Sequence, residues 1–265
     1  MTEQSLDLGA TAIAGQYRRR ALKRLGLVCM AVLALGIMLV VDIITGPADL
    51  SFWRVAHVIV APSVASIKED VIIWDLRLPV ALMAIAVGAM LGVAGAEMQT
   101  LLNNPLADPF TLGLSSAASF GAALAIVLGW TIVPGMAGIF VTMNAFVMAM
   151  LTSLALFAFT KLRGVTPEAM ILVGIAMLFT FNALLAFLQY GASEIQRAHL
   201  VFWQLGSLAR ATWTKVGVCV VVLAIVLPYF LSRSWSLTAL RMGEEKAASL
   251  GVNVSLLRLS VLAGV

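Results

Sequence analysis

Charge is scarce in this 265-residue chain: Asp, Glu, Lys and Arg make up 11% of it and hydrophobic residues 62%, against about a quarter and just under a half in a soluble domain. No water-soluble core absorbs that composition, so a sizeable soluble catalytic domain is excluded. Histidine is limited to His57 and His199, both between apolar runs, which leaves an intramembrane protease without its base or its metal ligands. The two cysteines, Cys29 and Cys219, sit far apart inside apolar runs; they support neither a disulfide framework nor a metal knuckle and read as small core hydrophobes. No glycine-rich loop ends in a phosphate-binding lysine, and neither His-Glu-x-x-His nor Gly-x-Ser-x-Gly occurs. An enzyme is not expected, nor a catalytic residue, a bound cofactor or a metal. No signal peptide is expected, because the first apolar run begins near Leu25, is too long for a signal and lacks a small-residue cleavage site, and so reads as a retained first helix.

What is present is apolar sequence in long runs. At about 20 residues per crossing of the bilayer, this length allows roughly six or seven spans. Residues 1–24 form a polar tail ending in Arg18, Arg19, Arg20, Lys23 and Arg24, which places the N-terminus in the cytoplasm. The net charge of +4 and the pI near 9.4 are explained the same way, and no nucleic-acid partner is expected. Spans are predicted at 25–44, 79–102, 112–133, 136–159, 168–190 and 216–231, with a break at Pro134-Gly135 and inside basic residues Lys161, Arg163, Arg233, Arg241 and Lys246. Two outside loops, 46–78 and 191–215, separate them; the first is expected to hold a short interfacial helix, and Trp203 and Trp213 of the second fit an interfacial belt. The stretch 232–253 is amphipathic, with Gly251 as a C-cap, and 254–265 begins another apolar run too short to cross.

Three features depart from a plain apolar bundle. Gly88, Gly92 and Ala96 repeat every four residues in the second span, a small-residue face that serves either close helix packing or the lining of a passage. The run Asn103-Asn104-Pro105-Leu106-Ala107-Asp108-Pro109 forces irregular backbone at the end of that span. Such backbone is either a solvated turn or a segment at membrane depth satisfied by protein or water. Glu97 lies two helical turns before Asn104 in apolar surroundings, where a carboxylate faces a cavity or gate, or snorkels to the interface.

These residues resemble the permease family of bacterial type II ABC importers, the FecCD-type transport permeases that carry iron-siderophore complexes, haem or cobalamin. The resemblance rests on three stretches. The first is Arg77-Leu78-Pro79 with Gly88, Gly95-Ala96, Gln99, the run 104–109, Leu112-Gly113 and Ser115-Ser116. The second is Trp203 with Leu205-Gly206-Ser207-Leu208 and Trp213. The third is Gly243-Glu244-Glu245 with Ala247 and Leu250-Gly251-Val252. It implies an all-α polytopic membrane protein of the type II ABC importer permease fold. Of the family's roughly ten spans this chain supplies about six full ones and the start of a seventh, so it is expected to be a C-terminally truncated piece, 25–265 being an incomplete permease domain.

By the same resemblance, Asn104 and Leu106 join Thr166 and Pro167 in a cytoplasmic gate, with Glu97 on the translocation path. Gly243, Glu244, Ala247, Leu250 and Gly251 form the short segment that docks on an ATPase, within the cytoplasmic stretch 232–253. Arg77 meets acidic residues of a binding protein, although the next family arginine is replaced here by Val80. The implied partners are a second permease subunit, identical or different, two cytoplasmic ATPase subunits that consume the ATP, and a periplasmic or lipoprotein substrate-binding protein. The implied location is the inner membrane. A ferric siderophore is the preferred cargo by family frequency, cobalamin and haem being alternatives. A scaffold or regulatory fragment without transport of its own is the competing expectation. Since the family carries an apolar residue at position 97, Glu97→Leu is expected to leave ATP-driven uptake by the full-length protein largely intact, and loss of most uptake at normal membrane abundance would show that the carboxylate is used.

Overall fold

The computed structural model describes residues 3–45, 51–61, 66–130, 137–160 and 166–265, with side chains for 18–45, 51–61, 66–130, 140–159 and 166–265. The break at Pro134-Gly135 and the basic residues Lys161 and Arg163 lie outside them. Among the described residues every regular element is helical. Among the described residues five helices are long and apolar enough to cross a membrane, and large apolar side chains such as Phe187 and Phe179 face outward, the arrangement that contact with lipid or other helices requires.

Helix α1, Glu3–Ile44, runs unbroken through the expected boundary at residue 24. Its Arg-, Ala- and Leu-rich sequence around residues 18–27 contains good helix formers and no proline, so nothing interrupts the backbone there. The stretch 46–78, expected as an outside loop holding a short helix, contains α2, Phe52–Val60, and a single turn, α3, Ile67–Asp70. A seven-residue π-helix, Val71–Arg77, then leads into α4, Leu78–Leu101.

Two compact units divide the chain. The first holds residues 1–85 and 211–216. Its core gathers Ile43, Val55, Val58 and Ile73. Ser66 opens α3 in a reciprocal capping arrangement with Glu69, whose carboxylate also accepts from Arg54 Nε at 2.7 Å and Nη2 at 2.8 Å. The Trp213 indole donates to Trp74 O at 2.8 Å, bringing the 211–216 segment to the π-helix.

The second unit holds residues 86–210 and 217–265. After α4 come a 3-10 turn, Pro109–Leu112, then α5, Leu114–Leu128, α6, Ala137–Thr160, α7, Pro167–Gly191, and α8, Glu194–Leu205. The third predicted span is thereby corrected: α5 has 15 residues, about 22 Å, short of a hydrocarbon core of about 30 Å. The cause is at both ends, since Leu112 belongs to the 3-10 turn, and Gly129 closes the helix in the left-handed conformation. Helix α5 packs on α6 so closely at Gly121 that a Cβ there would lie 2.5 Å from Asn144 O. Helix α8 caps α5 through Gln196 Nε2, which donates to Val127 O at 3.1 Å. Helix α9, Trp213–Ser232, includes Pro228 in its interior, and α10, Ser234–Leu240, α11, Glu244–Ser249, and α12, Val254–Gly264, follow. One buried cluster ties the ends of α4, α6 and α9 to α7 and α10–α12 through Met98, Leu102, Leu156, Met170, Phe230 and Leu257.

Candidate functional site

Helix α4 stops because Asn103 takes the left-handed conformation, φ 45°. Asn104 N donates to Gln99 O at 3.1 Å and Asn103 N to Thr100 O at 3.3 Å, the paired bonds that close a helix before a proline. The Asn104 side chain then shapes the turn, its Oδ1 accepting from Leu106 N at 2.9 Å. Asp108 starts the 3-10 turn by accepting from Thr111 N at 2.7 Å while the Thr111 hydroxyl donates to Asp108 O at 2.7 Å. Leu106 stands at the apex, 84% exposed, while Ala107 on its other side is buried.

Thr166 caps α7, its hydroxyl accepting from Ala169 N at 3.4 Å, and Pro167 follows at the first helical position, where its missing N–H is harmless. The turn after α4 is held against α7. A Cβ on Gly113 would sit 2.8 Å from Leu178 N, and one on Gly174 would sit 2.8 Å from Leu112 Cα. Ala107, Leu112 and Met170 share the buried cluster. The structure therefore joins the segment of Asn104 and Leu106 to the helix begun by Thr166 and Pro167 through common packing.

Gly88, Gly92 and Gly95 have nothing within 4 Å of a Cβ placed on them, so among the described residues no neighbour approaches closely at these three positions. Part of the small-residue face lines a groove of about 510 Å³ beside α9 and α10, with Glu97, Thr100 and Arg241 among its walls. Glu97 Oε2 is buried there and accepts no hydrogen bond.

The segment expected to dock on an ATPase is a six-residue helix, α11, between two glycines in left-handed conformations, Gly243 with φ 106° and Gly251 with φ 82°. Its residues divide by side. Leu250 and Met242 are exposed, whereas Ala247 is fully buried beside Leu240, Val252 and Leu257 and anchors the helix from within. Glu244 is turned toward the protein as well, where it pairs with Arg258 of α12. Arg77 is likewise engaged inside its own unit, Nη1 donating to Asp42 O at 2.6 Å and to Thr45 O, so it satisfies carbonyls at the end of α1.

Arg258 is the residue sequence reasoning passed over. It lies in the stretch taken as an apolar run, yet is 5% exposed and holds Glu244. The usable signal was a cation amid apolar neighbours, which demands a partner, with carboxylates fourteen and thirteen positions earlier at Glu244 and Glu245.

The model of the FecCD transport family matches residues 32–265. The chain is 43% identical over 201 residues to the Putative ABC transporter permease protein MJ0087 of Methanocaldococcus jannaschii, covering 72% of this chain and 58% of that protein. It is 34% identical over 186 residues to the vitamin B12 import system permease protein BtuC of Yersinia enterocolitica, covering 70% of this chain and 54% of that one. Among solved structures, an inward-facing conformation of a putative metal-chelate type ABC transporter matches with a TM-score of 0.75 at 29% identity, over 90% of this chain and 72% of the other. The chain thus spans little more than half the length of these two curated relatives. The likeness agrees with the helices: the fold is that of an all-α, multi-pass membrane permease.

Proposed function

The chain belongs to the FecCD transport family, and from that premise we propose that it forms membrane-crossing structure of an ATP-driven importer of a large metal chelate. It acts in the plasma membrane, the inner one where there are two, with its N-terminus cytoplasmic. A second permease subunit completes the pathway, two ATPase subunits work from inside, and a substrate-binding protein delivers cargo from outside. The residues hold no nucleotide motif, so the ATP is hydrolysed by the partner. The observation that carries this reading is α11: a short helix anchored inward by Ala247 and Glu244 while Met242 and Leu250 stay exposed, which is what docking on a soluble partner needs.

Asn104 and Leu106, with Thr166 and Pro167, form the inner gate. An exposed leucine on a rigid, internally bonded turn closes a constriction against its counterpart without burying a charge. Glu97 borders the path, and Arg77 contributes to the outer docking face by fixing the end of α1.

The cargo is a ferric siderophore. The long apolar helices carry few ionisable groups, which suits a bulky chelate that is not gripped by charge, and the solved neighbour is described as metal-chelate type. Cobalamin is the second reading, favoured by the named cargo of BtuC. Uptake of radiolabelled ferrichrome, haem and cyanocobalamin by the full-length protein with its ATPase and binding protein decides between them. ATP-dependent accumulation of ferrichrome is expected; accumulation of cyanocobalamin alone overturns the cargo, and accumulation of none overturns import.

Docking through α11 is checked with Leu250→Asp. A carboxylate at a buried contact with the ATPase is expected to lower uptake about tenfold, with membrane abundance unchanged because Leu250 contributes nothing to the chain's own core. Co-purification of the ATPase at wild-type yield with that variant would exclude the contact.

A further inference from the structure

Arg241 ends α10 two residues before α11, and its side chain reaches back to α4. We propose that Arg241 is a positioning residue that carries displacement of α11 to the turn after α4 through its hydrogen bond to Thr100. The inference rests on the import reading above and adds the link between its docking segment and its gate.

Arg241 Nη2 donates to Thr100 Oγ1 at 3.1 Å, joining positions 141 residues apart. Thr100 is 6% exposed, and its hydroxyl proton is committed to Ala96 O at 2.9 Å. Its oxygen is therefore left to accept, and the guanidinium supplies a charged donor. Both partners sit at junctions. The carbonyl of Thr100 takes part in the bonds that end α4, and Asn104 lies one turn further on. On the other side, Arg241 is separated from α11 only by Met242 and Gly243, and the φ of 106° at Gly243 sets the angle at which α11 departs. A push on α11 acts directly on Arg241, and the bond to Thr100 passes it to the last turn of α4.

The surroundings keep this contact in place. Leu237 and Leu240 of α10 are buried in the same cluster as Met98 and Leu101 of α4 and Leu102 just after it. Glu97 and Arg241 both line the groove beside this face of α4.

A fold anchor and a mechanical link differ in what their loss does. Loss of an anchor lowers stability and activity together, whereas loss of a link lowers the substrate moved per ATP hydrolysed. The full-length protein is reconstituted in proteoliposomes with its ATPase and binding protein, and uptake of radiolabelled ferrichrome, haem or cyanocobalamin is read beside ATP hydrolysis in the same vesicles. Arg241→Gln and Thr100→Val are each expected to cut substrate moved per ATP about tenfold, the scale of a hydrogen bond to a charged group, with Tm and membrane abundance at the wild-type level. The double variant is expected to be no worse than either single one, because both remove the same bond. Arg241→Lys, which keeps the charge and loses the planar fork, is expected to recover part of the ratio. An unchanged ratio in both single variants, or uptake and hydrolysis that fall in step with Tm, overturns the inference while the import reading stands. Wild-type vesicles that move none of the three compounds overturn the import reading and this inference with it.

Discussion

Gly174→Leu is expected to remove most of the folded protein from the membrane. A Cβ at that position would lie 2.8 Å from both Cα and Cδ2 of Leu112 and 3.0 Å from Thr111 O, and two of those three atoms are backbone. The contact is reciprocal, since a Cβ on Gly113 would meet Leu178 N at 2.8 Å and Gly174 O at 3.1 Å. Neither side can yield by rotating a side chain. Overpacking a tight core costs about 1–3 kcal/mol even where neighbours adjust, and a whole leucine between two backbones exceeds that range. Separation of the 3-10 turn from α7 is the cheaper outcome, and it exposes Leu112 and Met170 from the shared cluster. Gly88→Leu is the matched control on α4, where a Cβ would meet nothing within 4 Å. Membrane abundance and Tm by fluorescence-detected size exclusion check the pair; equal yields would show that the turn is not seated on α7.

Glu244→Ala is expected to destabilise the protein by about 3–5 kcal/mol, because it leaves the guanidinium of Arg258 buried without its counter-charge. Arg258 is 5% exposed, and its Nε already lacks a hydrogen-bond partner, so the carboxylate of Glu244 is its principal compensation. Arg258→Leu is expected to be milder. It removes the charge that needs a partner and leaves Glu244, which is 39% exposed, to water. This inequality separates a buried cation from an ordinary surface pair, for which both truncations would be small. Thermal unfolding of the two single variants and the double variant checks it. Equal losses from both single variants would place Arg258 in contact with water.

The neighbouring bonds explain why this corner of the molecule matters. Ser153 of α6 donates to Leu262 O of α12 at 2.5 Å, so α12 is fixed on one side to the bundle and on the other, through Arg258, to α11. Ala247 fills the space between them with a single methyl group.

Much of this was legible without coordinates. The apolar runs announced α4, α6, α7 and α9 within a few residues, because a helix that crosses hydrocarbon has to be apolar along its length. The turn at 103–109 was legible as well, since Asn, Pro and Asp each restrict the backbone locally; the left-handed Asn103 and the capping by Asp108 are that restriction realised. The gate and docking roles came from resemblance to the family; the structure gives the local conformations of those residues, a polar turn at 103–109 and a six-residue helix at Glu244–Ser249. The shortness of α5 was not legible, because the apolar run that starts at Leu112 continues past Gly129, where the helix closes. The unbroken α1 was missed for the opposite reason: a change in polarity at residue 24 was read as a boundary, although polarity does not end a helix.

The sequence by itself determined that this is a multi-pass helical membrane protein with one irregular polar turn and one short amphipathic stretch at 232–253, because hydropathy and backbone restriction are properties of adjacent residues. Only the tertiary structure decided what the charges do. Arg77 ends α1, Arg241 bonds Thr100, Arg258 holds Glu244, and Ala247 faces inward although its helix was read as a partner surface. Each of those outcomes depends on which helices meet and at what angle. A side chain long enough to reach several partners takes the one that packing brings within bonding distance, and no local pattern encodes that choice.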